Sequence, residues 1–231
     1  PFNNTTATGA EAFIKAHPAY DGRGTVIAVL DCGVHLGIPG LVTTSDGKPK
    51  IIEARDFTGE GDLKLRPAKV VKDKKEGTAK LALGKERWIG FDSLPHKAKG
   101  GYHLAIFEES RLINNAEVKD INRNGKRLAD RWAFLCFQTT EGWWITYCDT
   151  DMDHDFADEK GLRNYAVRRD TFQFGPRNPE KQRTVMLCAV TVRPKEKILE
   201  VYYPTGSHGT HVSGMAAGHH MNNNPHHNGI A

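Results

Sequence analysis

Thr25-Val26-Ile27-Ala28-Val29-Leu30-Asp31-Cys32-Gly33 is the stretch whose reading decides the fold. Five consecutive apolar residues, two of them Val and one Ile, predict a strand covered on both faces, as in the parallel sheet of an α/β protein. Catalytic groups in open α/β sheets gather at the carboxyl ends of strands, where Asp31 stands. Gly33 lets the chain turn sharply away behind it. Upstream, Thr8 is placed to cap a short helix through Glu11, Ala12, Phe13 and Ile14, which Pro18 ends. Downstream, Lys50 to Ala54 predicts a second strand leading to Asp56 and the loop Thr58 to Asp62.

Beyond Asp62 the texture changes. Short β-prone runs separated by turn residues replace any alternation of strand and helix, which predicts a largely β insert. The runs are Ala79 to Leu83, Tyr102 to Phe107, Trp132 to Gln138, Trp143 to Cys148, Thr184 to Val192 and Ile198 to Tyr203. Only Glu109 to Arg131 has helical character, weakened by Asn122, Asn124 and Gly125. This divides the chain into 1–62 for the first part of the core, 63–204 for the insert and 205–231 for the return to the core. Trp132, Trp143, Trp144 and Tyr147 read as cross-strand packing rather than as a stacking surface for bases or sugars.

The return segment, Gly206-Ser207-His208-Gly209-Thr210-His211-Val212-Ser213-Gly214, puts a histidine at a predicted helix start, with small residues after it that allow close packing. A serine nucleophile is too weak at neutral pH without a histidine base and a carboxylate that orients the imidazole. Asp31 and His208 supply those two helpers. Val26 to Val34 resembles the aspartate motif of the subtilisin family, and Ser207 to Gly214 resembles its histidine motif, in that family's order of aspartate, histidine, then serine. The resemblance makes His208 the catalytic base and leaves His211, one helical turn on, a structural role. Cys32 stands where the family usually has threonine or serine, and is read as a buried, inert thiol. The fold implied is α/β, with a partial subtilisin-like parallel-sheet core and a large β-rich insert between the catalytic Asp and His.

Asp31 and His208 lie 177 positions apart, far more than compact subtilisins place between them. That spacing, with Ile38-Pro39-Gly40, Thr43 to Ile51 and Leu162-Arg163-Asn164-Tyr165, resembles the tripeptidyl-peptidase II branch of the family. The resemblance implies an exopeptidase that releases tripeptides from peptide N-termini, acts on peptide or protein substrates, and forms a homo-oligomer when full-length. No glycine-threonine-serine motif and no oxyanion-hole asparagine occur later within these 231 residues, so the chain alone is expected to be inactive and to expose apolar edges. Two alternatives stay open: a subtilisin-type endopeptidase with an insert, or a non-catalytic pseudo-protease or assembly module.

Other features narrow the partners. The 32 basic and 28 acidic residues leave a net charge of +4, too balanced for a nucleic-acid surface. The densest basic run, Lys64 to Lys75, reads as a solvated hairpin face. No apolar stretch reaches membrane-spanning length, and no signal-peptide pattern precedes Pro18. Cys32, Cys136, Cys148 and Cys188 show no CxxC pairing, which favours thiols and a cytoplasmic setting, although a hairpin would bring Cys136 and Cys148 nearly opposite each other. No cofactor is required. Asp149, Asp151, Asp153 and Asp155 alternate like calcium-loop ligands, but His154 replaces the turn glycine and Lys160 the bidentate glutamate, so a solvated acidic turn competes with calcium. His208, His211, His219, His220, His226 and His227 lack any zinc-site spacing.

Overall fold

A computed structural model describes residues 5–72, 77–115, 118–176, 186–224 and 227–230. The chain divides into two compact units, one made of residues 53–203 and the other of residues 1–52 with 204–231. The basic run beyond Lys72, the first two residues of the predicted Thr184 strand, and His226 lie outside the described residues.

The described residues of the 53–203 unit form ten strands, β1 (Asp62–Lys64), β2 (Arg66–Pro67), β3 (Lys69–Lys72), β4 (Ala79–Leu83), β5 (Glu86–Trp88), β6 (His103–Glu108), β7 (Arg131–Gln138), β8 (Trp144–Cys148), β9 (Ala189–Arg193) and β10 (Ile198–Tyr202). They form three antiparallel sheets ordered β1-β10-β9, β2-β6-β7-β8 and β3-β4-β5. Strand β7 explains how they combine. Its side chains alternate between faces, so Trp132, Phe134 and Cys136 enter one apolar cluster while Ala133, Leu135 and Phe137 enter the other. The first cluster also holds Leu63, Val190, Val192, Leu199 and Val201, and the second Leu81 and Trp88. The four-stranded sheet is therefore buried on both faces, which is why Trp132 to Phe137 carries no polar residue. Phe107, Trp132 and Phe174 meet in the first cluster with ring centroids 4.5 to 6.1 Å apart.

The β-prone runs of the sequence all carry strands, shifted by a residue or so except for Thr184, whose strand begins at Ala189. Short strands β1, β2, β3 and β5 have too few residues to show alternation. The Glu109 to Arg131 region holds only a 3-10 helix at Glu109–Asn114 among its described residues. Buried Glu109 organises the rest of that region instead, its carboxylate accepting the N–H groups of Ile121 and Ala129 at 2.8 and 3.0 Å. Cys136 and Cys148 are not opposite each other: Cys136 pairs with Thr146, and Cys148 with Phe134. Both thiols are free and buried.

In the other unit, helix α1 (Ala10–Ala16) begins after Gly9, whose left-handed φ of 78° occupies the cap position. Thr8 turns its hydroxyl to the Thr5 carbonyl instead of capping the helix, and Phe13 and Ile14 are exposed. The strands predicted at 25–30 and 50–54 form no ladder, with only an isolated bridge joining Thr43 and Pro49. Val26 is 73% and Leu30 90% exposed. A parallel strand exists through its neighbours, and the described residues of this unit supply neither strands beside it nor helices over it. No parallel ladder occurs among the described strands. Helix α3 (His208–Ala217) belongs to this unit, while the one-turn helix α2 (Tyr165–Arg168) belongs to the β-rich one. No helix among the described residues is long and apolar enough to cross a membrane.

Glu200 on β10 is the most heavily bonded buried charge of the β-rich unit. Its side chain is 1% exposed and accepts Arg55 Nε at 2.9 Å, Arg55 Nη2 at 3.0 Å and the Asp56 N–H at 2.9 Å. Truncating it removes the acceptor of a part-buried guanidinium and an amide, so Glu200→Ala is expected to lower stability by about 1.5–3 kcal/mol. Urea denaturation checks this; a loss below about 1 kcal/mol contradicts it.

Candidate active site

Helix α3 starts at His208, directly after Ser207, whose side chain makes no capping bond. Its first turn is met by the segment 31–35. The Nδ1–H of His208 donates to both Asp31 oxygens, at 2.7 Å to Oδ2 and 2.9 Å to Oδ1. An ionised carboxylate only accepts, so the ring must carry its proton on Nδ1, which leaves Nε2 as the basic nitrogen. The His208 side chain is 77% exposed and that of Asp31 only 16%. The carboxylate is thus held from behind while the imidazole faces outward.

Asp31 is fixed before His208 reaches it. Its Oδ1 accepts the Cys32 N–H at 2.7 Å. That bond, with the Cys32 side chain and His208 adding to it, holds the Asp31 carboxyl below its ordinary range and keeps it ionised. The Cys32 carbonyl in turn accepts both the N–H and the hydroxyl of Thr205, at 2.8 and 3.1 Å. Cys32 Sγ lies 3.4 Å from the Gly209 nitrogen and accepts its N–H. Glycine is required at 209, since a Cβ there would stand 2.3 Å from the Gly33 carbonyl oxygen.

The remainder of this unit anchors the far end of α3. Lys50 donates to the Ala217 carbonyl at the helix C-terminus, where a cation is favoured. The His219 and Asn222 N–H groups donate to Gly40 and Pro39, and Gly229 and Ile230 donate back to Gly218 and Met215. The structure therefore brings Asp31 and His208 together, and the bond between them is made without His211. Sequence reading missed Thr205, Thr210 and Lys50. Thr210 carried a signal, being part of the histidine motif, and Lys50 lies in the Thr43 to Ile51 stretch, which says nothing of the Ala217 carbonyl it meets.

The acidic loop after β8 lies in the β-rich unit. Asp149, Asp151 and Asp153 bring one oxygen each within 4.8 Å of one another. Asp155 does not join them, its Oδ1 accepting the Ala157 N–H at 2.8 Å. Alternate carboxylates here accept backbone N–H groups a few residues on: Asp149 from Asp153 and His154, and Asp153 from Asp155. This is turn chemistry, and it accounts for the every-second-residue spacing by itself.

No family model matches the chain. Comparison with known proteins nevertheless finds likeness to named peptidases along nearly the whole chain. It is 31% identical over 246 residues to pyrolysin of Pyrococcus furiosus, covering 96% of this chain and 16% of that protein. It is 26% identical over 283 residues to tripeptidyl-peptidase 2 of Caenorhabditis elegans, covering 99% and 20%. A 76-residue stretch is 50% identical to tripeptidyl-peptidase 2 of Oryza sativa subsp. japonica, covering 33% of this chain and 5% of that one. Among solved structures, a crystal structure of tripeptidyl peptidase 2 matches with a TM-score of 0.68 over 97% of this chain and 20% of that chain, at 23% identity. The fold is accordingly subtilisin-like, with mixed helix and sheet. The chain spans a fifth or less of the length of these relatives.

Burial pushes the Asp149 carboxyl up to about 6, with Asp153 adding repulsion, and pushes Glu159 up to about 7. Their ordinary values are 3.8 and 4.5. Between those values and the raised ones the folded protein holds protons that the unfolded chain has released, so stability falls as pH rises through that window. An Asp149→Asn/Glu159→Gln variant is expected to gain on wild type as pH goes from 5 to 8. Melting curves of both across that range check it; a parallel pH dependence contradicts it.

Proposed function

We propose that this chain forms part of a serine-type peptidase of the subtilisin family, an exopeptidase that releases tripeptides from peptide N-termini. The observation that carries it is the Asp31–His208 hydrogen bond of 2.7 Å, closed across 177 residues of sequence. In this proposal Asp31 holds the imidazole in its Nδ1–H tautomer and stabilises the imidazolium. His208 Nε2, open to solvent, takes the proton of a serine hydroxyl as that oxygen attacks the peptide carbonyl, then returns it to the leaving amine. The serine and the oxyanion-stabilising donor come from residues outside these 231. So do the strands that would pair with 25–30 and complete a parallel sheet. Peptide or protein substrates belong to the same proposal and rest on the names of the relatives, whereas a homo-oligomeric assembly rests on the resemblance of the sequence alone.

Incubating a longer protein that includes the serine with free and N-acetylated peptides tests the reading. Hydrolysis releasing tripeptides from the free peptide alone is expected, with Asp31→Asn lowering kcat by on the order of 10⁴. The present chain should show no turnover. Equal cleavage of both peptides would favour an endopeptidase, and no cleavage of either a non-catalytic module.

Calcium at Asp149, Asp151 and Asp153 is a second, separate proposal, supported by the convergence of their oxygens and by the cost of ionising buried Asp149. Calcium should raise the melting temperature of wild type and leave Asp149→Asn unmoved. An unchanged wild-type melting temperature removes the idea.

A further inference from the structure

The segment 31–35 and the first turn of α3 meet in a regular register. Asp31 meets His208 through the carboxylate–imidazole bond, and the Gly33 carbonyl lies against Gly209, where no Cβ fits. The His35 N–H then donates to Thr210 Oγ1 at 2.9 Å. Residues 31, 33 and 35 of the segment thus face residues 208, 209 and 210 of the helix in turn. Successive helical residues are rotated by about 100°, so the contacts at 208 and 210 fall on nearly opposite sides of the helix axis. The segment straddles the helix end. The far end of the helix is held by its own bonds, and contacts on both sides of the first turn fix the rotation there, and with it the direction of the imidazole.

We propose that Thr210 is a positioning residue for His208, its hydroxyl serving as one of the points that set the rotation of the helix's first turn and so the Asp31–imidazole geometry. The proposal rests on the peptidase reading only for its consequence in catalysis. Thr210 touches neither substrate nor the reacting atoms. Its hydroxyl accepts from a backbone N–H that a valine of the same shape leaves unmatched in a half-buried place. Serine retains the oxygen.

Two measurements test it. Ring ¹⁵N NMR of His208 in this chain at alkaline pH reads the tautomer directly, and needs no activity. Wild type and Thr210→Ser are expected to hold the Nδ1–H form, and Thr210→Val to show a mixture with the Nε2–H form that free imidazole prefers. Thr210→Ala removes the same oxygen without adding a methyl, and serves if the valine variant does not fold. In the longer protein, Thr210→Val should lower kcat roughly tenfold with KM within about twofold, and Thr210→Ser should restore it. A folded Thr210→Val or Thr210→Ala chain with the wild-type tautomer overturns the proposal. Failure of the peptidase reading would appear differently, as a wild-type longer protein without peptide hydrolysis whose tautomer pattern is unaffected.

Discussion

The hydrogen bond from His208 to Asp31 is the constraint on which the site depends, and it is not self-sufficient. The imidazole is largely exposed, so water competes for it on every open side. What keeps the pair closed is the backbone around it. Thr205 holds the Cys32 carbonyl, Cys32 holds both the Asp31 carboxylate and the Gly209 N–H, and Thr210 holds the His35 N–H. Most of these bonds use main-chain atoms on one or both sides, and such atoms lose less entropy on ordering than long side chains do. The result is an aspartate and a histidine preorganised against each other.

The two units meet their burial requirements in different ways. In residues 53–203 the central four-stranded sheet is covered on both faces, and two buried charges outside it, Glu109 and Glu200, are satisfied by backbone or guanidinium donors. The unit made of the two chain ends leaves Val26, Ile27 and Leu30 exposed in a run as apolar as any strand of the other. Exposed contiguous apolar surface usually marks a place where something else packs. The further strands proposed for the parallel core would pack there.

The reach of the sequence reading has the same physical origin. Trp132 to Phe137 and Val26 to Leu30 are equally apolar, yet one is a central strand and the other pairs with nothing among the described residues, because pairing depends on neighbours that a local pattern does not contain. The β-prone runs between residues 79 and 203 were legible since their alternation and turn residues are local signals. Register was not: a hairpin with a turn at Thr139 to Gly142 was expected to bring Cys136 and Cys148 nearly opposite, but Cys136 pairs with Thr146 and the second thiol lies beside Phe134. Thr8 likewise had the chemistry of a cap, but Gly9, with a positive φ, takes the position. Of the candidate site, Asp31 and His208 were legible because their motifs are short and specific. Thr205 and Lys50 were not, since nothing in a lone threonine or lysine announces the distant carbonyl it meets. The alternating aspartates suggested a metal loop, while turn chemistry explains three of the four equally well and removes Asp155 from the cluster.

The most direct test of this account is a crystal structure of a longer protein containing these residues and those beyond them. His208 Nδ1 is predicted to lie about 2.7 Å from an Asp31 oxygen, with a serine hydroxyl within hydrogen-bonding reach of Nε2. A well-ordered imidazole more than about 4 Å from that carboxylate, beyond any hydrogen bond, would contradict it.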